Sequence, residues 1–212
     1  LLNQDNRRSV IEDLMHEREP LYRQEADIVY VTDSRSPQVA AREIAQSVES
    51  VGRQAACYAL AMEKPGEVDH VCKQMIDDLG RIHTVVNAAG SHISMKFVGD
   101  IEPEEFRDVM AADTNGFFNL VHTLLPHMRE KGGSFVTIGT TGLLRWPTKD
   151  ALSVIPKAAI DALMTGIARE EGRNAIRANS VALGLIDAGL GLRNRLATRQ
   201  NRLLRRGSRQ LG

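Results

Sequence analysis

The chain has 212 residues, 42% of them hydrophobic and 25% charged, with 27 acidic residues balancing 27 lysines and arginines. That composition supports a buried core, excludes a disordered chain, and leaves no overall cationic excess for seeking polyanions. No apolar run approaches the roughly 20 residues that cross a bilayer, and the two cysteines, Cys57 and Cys72, lack metal-ligand spacing, so buried thiols in a reducing, cytoplasmic setting are expected.

The first residue is Leu1 rather than Met, so the chain is expected to be processed, trimmed or incomplete there. The opening stretch, Asn3 to Arg8, is polar and carries no leader pattern. Val10, Leu14 and Leu21 space an amphipathic helix interrupted near Pro20. The β-branched run Ile28–Thr32 predicts a strand that ends in Asp33-Ser34-Arg35-Ser36. Ala40, Ile44, Val48 and Val51 then mark a helical stripe, Ala55–Leu60 a second strand, and Val68, Val71, Met75 and Leu79 a second stripe. A third strand, Ile82–Val86, runs into Asn87-Ala88-Ala89-Gly90. Phe117, Leu120, Val121, Leu124 and Met128 form the next stripe, followed by a strand at Ser134–Ile138. Leu152, Ile155, Ala159, Leu163 and Ile167 form the last stripe, before a strand at Ala178–Ala182. From Gly191 to Gly212 there are seven arginines and no acid, a solvated tail by expectation, because no aromatic residue is interleaved with them.

Strands separated by whole helices cannot pair as hairpins. They form right-handed crossovers in a parallel sheet, which predicts an α/β fold with a doubly wound parallel sheet in three α/β/α layers. One domain is expected over 1–190, with the arginine-rich tail at 191–212. Ligands of such a sheet lie beyond the carboxyl ends of its strands, so the segments that follow each strand are where chemistry belongs.

Five of these segments share an order and spacing: Asn87–Gly90, Asp108–Leu120 (DVMAADTNGFFNL), Ser134–Gly142 (SFVTIGTTG), Lys157-Ala158-Ala159, and Ile176–Ala188 (IRANSVALGLIDA). Through them the chain resembles the short-chain dehydrogenase/reductase family over residues 26–190. The resemblance implies a Rossmann-like domain and an NAD(P)-dependent oxidoreductase acting on a carbonyl or alcohol. It also implies a homodimer or homotetramer built through helices at 103–130 and 151–172, with neither membrane nor nucleic acid as partner. Carried over by position, the catalytic set becomes Lys157, Thr140 at the serine position, Ser153 at the tyrosine position and Asp113 at the asparagine position. The cofactor-binding set becomes Asn87, Ala88, Ala89, Gly90, Asp33, Arg35, Lys157, Gly184 and Ile186. Asp33 suits a free ribose hydroxyl and Arg35 a 2′-phosphate, which leans the cofactor toward NADP over NAD.

The departures are as informative as the matches. The family's tyrosine is a general acid/base tuned by the lysine one turn on, and an unassisted serine hydroxyl transfers protons poorly near neutrality. The chain's three tyrosines, Tyr22, Tyr30 and Tyr58, all precede that helix. The family's glycine-rich phosphate loop would fall near Arg8, Glu12 and Leu14, yet the first glycine is Gly52. Either that loop is absent or it lay upstream and was lost with the true N-terminus; past Leu190 the family's substrate loop and seventh strand are not recognisable, which leaves truncation at both ends open. With the tyrosine gone, Lys157 is expected either to hold a ribose or to pair with Asp113. His92 is the nearest substitute acid/base, against a plain exposed loop histidine. Trp146 either closes over a ligand or anchors its loop. No metal motif is present. Two functions follow: an oxidoreductase with a degenerate site, or a non-catalytic relative that binds or assembles.

Overall fold

A computed structural model describes residues 7–31 and 35–184. The chain divides into two compact units, Leu1–Tyr58 and Ala59–Gly212.

In the first unit, α1 (Arg7–Glu25) runs through Pro20 without a break. Pro20 cannot donate to the His16 carbonyl, and both residues are exposed, so water meets the open acceptor. Helix α2 (Pro37–Ser50) starts with proline at its first turn, where a missing N–H costs nothing, and the Ser36 hydroxyl accepts from the Val39 amide. Its apolar stripe is as expected in sequence, but none of its residues is buried. Cys57, expected to be buried, is exposed and donates weakly to the Ala41 carbonyl, whereas Cys72 is sealed in the core and burial pushes its thiol up.

The runs Ile28–Thr32 and Ala55–Leu60 were expected to be strands and are not, among the described residues; Thr32 itself lies outside them. In a doubly wound sheet the first strand sits between the second and fourth. Helix α1 occupies the segment before Ile28 where that strand would come, so these runs have no ladder to join. β-branched composition alone does not satisfy the backbone.

The second unit holds α3 (Pro65–Leu79), β1 (Thr84–Asn87), α4 (Pro103–Val109), a π-helical turn at Met110–Asn115, α5 (Gly116–Met128), β2 (Gly133–Thr140), α6 (Ala151–Glu171) and β3 (Ile176–Leu183). The sheet runs β1-β2-β3 with every pairing parallel, so the α/β class and the parallel sheet are as expected. Val85, Phe135 and Ala178 form one row across it and face the core. Against that row pack Val68 and Cys72 of α3, Phe117, Val121, Leu124 and Met128 of α5, and Ile160, Met164 and Ile167 of α6. Phe117 meets Phe135 edge to face at 6.4 Å, the arrangement that aromatic quadrupoles prefer.

Helix α6 buries Val154, Ile160 and Met164 more fully than the expected Ile155, Ala159 and Leu163. With its final turn it is long and apolar enough to cross a membrane by length and composition. Here that apolar face lies in the core beside β2 and β3. The chain enters β2 through Gly132, whose φ of 70° and 2.7 Å approach to the Ala175 carbonyl, measured from an added Cβ, leave room for glycine alone.

Candidate functional site

The carboxyl ends of β1 and β2 lie at the same end of the sheet, and α6 packs against β2 and the turn that follows it. At the end of β1, Asn87 is buried and its Oδ1 accepts from the Ala89 amide, which folds Asn87–Gly90 into a tight turn. Ala88, Ala89 and Gly90 are exposed, and a Cβ on Gly90 would meet nothing within 4 Å. The next residue, Ser91, donates both its backbone N–H (2.9 Å) and its hydroxyl (2.6 Å) to Asp113 Oδ1.

Asp113 sits in the π-helical turn between α4 and α5. A π turn admits an extra residue into a helix, and such turns are frequent at functional sites. Here it aims a carboxylate at the turn after β1. The expected pairing of Asp113 with Lys157 is therefore absent: no oxygen of Asp113 lies within 4.0 Å of the ammonium, because the carboxylate is committed to Ser91.

At the end of β2, Thr140 Oγ1 accepts from the Gly142 amide at 3.0 Å and caps the short turn Thr141–Leu143. Thr141 in turn donates its hydroxyl to the Leu183 carbonyl at the end of β3. Gly142 is buried, and a Cβ there would stand 2.9 Å from Val154 and 3.1 Å from Thr140 Oγ1. That close fit seats the Thr140 turn against the start of α6.

On α6, Lys157 Nζ donates to Ser153 Oγ at 3.2 Å and to the Ser153 carbonyl at 3.5 Å. Ahead of Ser153 on the same face stands Asp150, a residue that no family motif marks. Its backbone carbonyl accepts from the Ser153 and Val154 amides at 3.1 and 2.9 Å. Burial pushes its carboxyl above the ordinary aspartate value, while the Lys157 ammonium pulls the other way. The signal was legible: positions 150, 153 and 157 share the i, i+3, i+7 spacing of one helix face.

The neighbouring loop is held by one ion pair and the contacts around it. Lys96 donates to Glu105 at 2.7 Å, Ser94 donates to the other oxygen of the same carboxylate, and the backbone of Lys96 bridges to Asp150. This raises the Lys96 pKa and lowers that of Glu105 through their mutual hydrogen bond. Lys149 lies 4.5 Å from the centre of the Phe97 ring. Trp146 is 54% exposed, so it does not serve as a packed anchor, and His92 is exposed.

The remaining expected residues lie elsewhere. Asp33 and Ile186 fall outside the described residues, as does the arginine-rich tail. Gly184 is exposed with open space around its Cα. Arg35, in the first unit, has its guanidinium on Glu43 at 2.5 Å and over the Tyr30 ring, and Tyr30 donates to the same carboxylate.

The family described as “Enoyl-(Acyl carrier protein) reductase” matches residues 19–205. A peroxisomal 2,4-dienoyl-CoA reductase of Pongo abelii is 32% identical over 155 residues, 73% of this chain and 52% of that one. A versicolorin reductase of Emericella nidulans is 28% identical over 153 residues, 72% of this chain and 58% of that one. The chain spans about half the length of the curated relatives it matches. The crystal structure of a NAD+-bound xylitol dehydrogenase superposes with a TM-score of 0.68 at 23% identity, covering 72% of this chain and 59% of its own. At that identity the likeness speaks to the fold, and it is the Rossmann-like fold expected from the sequence.

Proposed function

This chain belongs to the short-chain dehydrogenase/reductase family, and on that premise we propose that it is an NAD(P)-dependent oxidoreductase of a carbonyl or alcohol with an altered proton-transfer site. One observation carries the reading: the Lys157 ammonium rests on the Ser153 hydroxyl, at the positions where the family sets its lysine and tyrosine.

The residues present suit the nicotinamide–ribose end of such a cofactor. Lys157 spends its hydrogen bonds on Ser153 alone among the described residues, so donors remain for ribose hydroxyls. The Asn87–Gly90 turn is open to solvent beside it. The pyrophosphate end has no counterpart among the described residues, where α1 stands in the place of a glycine-rich turn. When bound, the nicotinamide supplies or accepts a hydride. The chain's own residues then orient the substrate and move the proton. Thr140 keeps a hydroxyl at the serine position for a substrate oxygen, and Asp113 fixes the turn after β1 through Ser91. The order Asp33-Ser34-Arg35 in the sequence leans the cofactor toward NADP, since an arginine there suits a 2′-phosphate. The names of the two relatives, both reductases, support the reducing direction.

Titration with NADH and with NADPH, followed by fluorescence, tests the reading. Binding of either that weakens about tenfold or more in Lys157→Ala supports it. Absence of any binding removes it.

A second reading is favoured by an exposed apolar position on α5: a non-catalytic relative that assembles through α4–α5 and α6. Phe118, 52% exposed and stacked on His122 at 6.1 Å, presents an apolar face on that helical run. A stable dimer or tetramer with no cofactor affinity is its expected signature.

A further inference from the structure

Resting on the oxidoreductase reading above, we propose that Asp150 is the proton-transferring residue of this site, doing the work for which position 153 lacks a tyrosine. Asp150, Ser153 and Lys157 return to one face of α6 within two turns, and the backbone bonds from Ser153 and Val154 to the Asp150 carbonyl place Asp150 at the head of that face. An aspartate in this position ordinarily caps its helix, its carboxylate accepting from the second or third amide. Asp150 makes no such bond. No hydrogen bond reaches its carboxyl among the described residues, so the group is free for other use.

The charged groups around it are accounted for. Lys157, on its own helix, is the one that acts on its titration. Lys96 bridges to it by backbone from the neighbouring segment, but its ammonium is spent on Glu105. Lys149 is turned to Phe97. Half-burial without a hydrogen-bonded cation raises the carboxyl above the ordinary aspartate value, and a shift in that direction brings it closer to a general acid's task, which a serine hydroxyl performs poorly.

Reducing a carbonyl to an alcohol needs a hydride at carbon and a proton at oxygen. Reduced nicotinamide, when bound, would supply that hydride with both bonding electrons and be left oxidised; the chain's own part is the proton. The oxygen takes its proton from the Asp150 carboxyl. The carboxylic acid O–H bond breaks as the alcohol O–H bond forms, and the carboxylate so left recovers a proton from solvent. Ser153, held by Lys157, positions the substrate rather than titrating.

The test uses the whole chain. Aspartate carboxyls are labelled with carbon-13, the Asp150 signal is assigned by its loss in Asp150→Asn, and the pH is varied. Asp150 is expected to titrate above ordinary aspartates and to move further up in Lys157→Met. Titration at or below the ordinary range overturns the proposal with or without turnover. In parallel, NADPH-dependent reduction of ethyl acetoacetate is followed. Asp150→Asn is expected to lower kcat about 100-fold or more, with NADPH affinity unchanged within about twofold, and Asp150→Glu to restore part of the rate. The wild-type rate is expected to fall as pH rises through the Asp150 titration, since the acid form is the active one. An Asp150→Asn chain that keeps its rate and pH profile overturns the assignment while leaving the oxidoreductase reading intact. Loss of cofactor binding in the wild type strikes that reading instead, and the assignment falls with it.

Discussion

Between residues 59 and 184, Phe117, Phe135, Leu124 and Met128 are sealed from solvent within one cluster. Between residues 7 and 58 the best amphipathic helix, α2, buries none of its residues, and Val29, Val31 and Ile44 are 50%, 71% and 40% exposed. Both regions carry helical stripes next to β-branched runs. The difference is a ladder. In the second unit each strand hydrogen-bonds a parallel neighbour, and the sheet so formed gives α3, α5 and α6 a surface to cover. In the first unit no described strand exists, and the stripe of α2 has no such surface. An apolar pattern is thus a capacity to pack, realised only where the backbone of a neighbour supplies the plane.

Trp146 is the chain's single tryptophan and belongs to the second unit, so its fluorescence follows that unit's unfolding in denaturant. The largest effect is expected from Phe135→Ala, which empties the centre of the cluster and should cost about 3–5 kcal/mol. A loss below about 1 kcal/mol would mean the core is not as closed as described. Gly132→Ala forces a side chain into a left-handed backbone and onto the Ala175 carbonyl, at a cost of about 2–3 kcal/mol by the same measurement.

Next comes the joint between α5 and α6. Glu171 is buried, and the Arg129 guanidinium and the Asn174 amide hold its carboxyl down to about 2 from an ordinary 4.5. A depressed carboxyl stabilises the fold above its unfolded pKa. That contribution is therefore complete above about pH 4.5 and is lost as pH falls toward about 2. Glu171→Gln should cost about 1–3 kcal/mol at neutral pH, discounted for the half-exposed arginine, and should flatten the acid limb of the stability curve. An unchanged acid limb would show that the pair contributes nothing. The smallest effect belongs to the first unit. Ile44→Ala should leave the Trp146-detected midpoint within about 0.5 kcal/mol, because little buried surface is lost. A shift of 2 kcal/mol or more would break the contrast between the two regions.

Much of the site was legible for a local reason. Asn87, Thr140, Ser153 and Lys157 follow strand ends or share a helix face, and those relations are set by chain spacing. Asp113 was legible as a residue but not as a contact: its expected partner was Lys157, and the π-helical turn delivered it to Ser91 instead. Asp150 shares the face of Ser153 and Lys157 by spacing, but only the positioned side chain shows that its carboxyl leaves the helix amides uncapped. The Lys96–Glu105 pair joins residues nine apart across a loop, a relation that no periodicity encodes.

The amino-acid order by itself determined the alternation that makes this an α/β chain, the α5 residues that face its core, and the family to which it belongs. All of these depend on neighbours within a few turns or on the order of segments. On α3 only Val68 of the expected stripe joins the core cluster, which takes Cys72 and packs Ile76 against it while Leu79 stays exposed. Only the tertiary structure decided which runs became strands, which stripes were covered and which carboxylate met which donor. Ladder bonds, burial and desolvation are settled by atoms far apart in the chain, and their free energy exists only once those atoms meet.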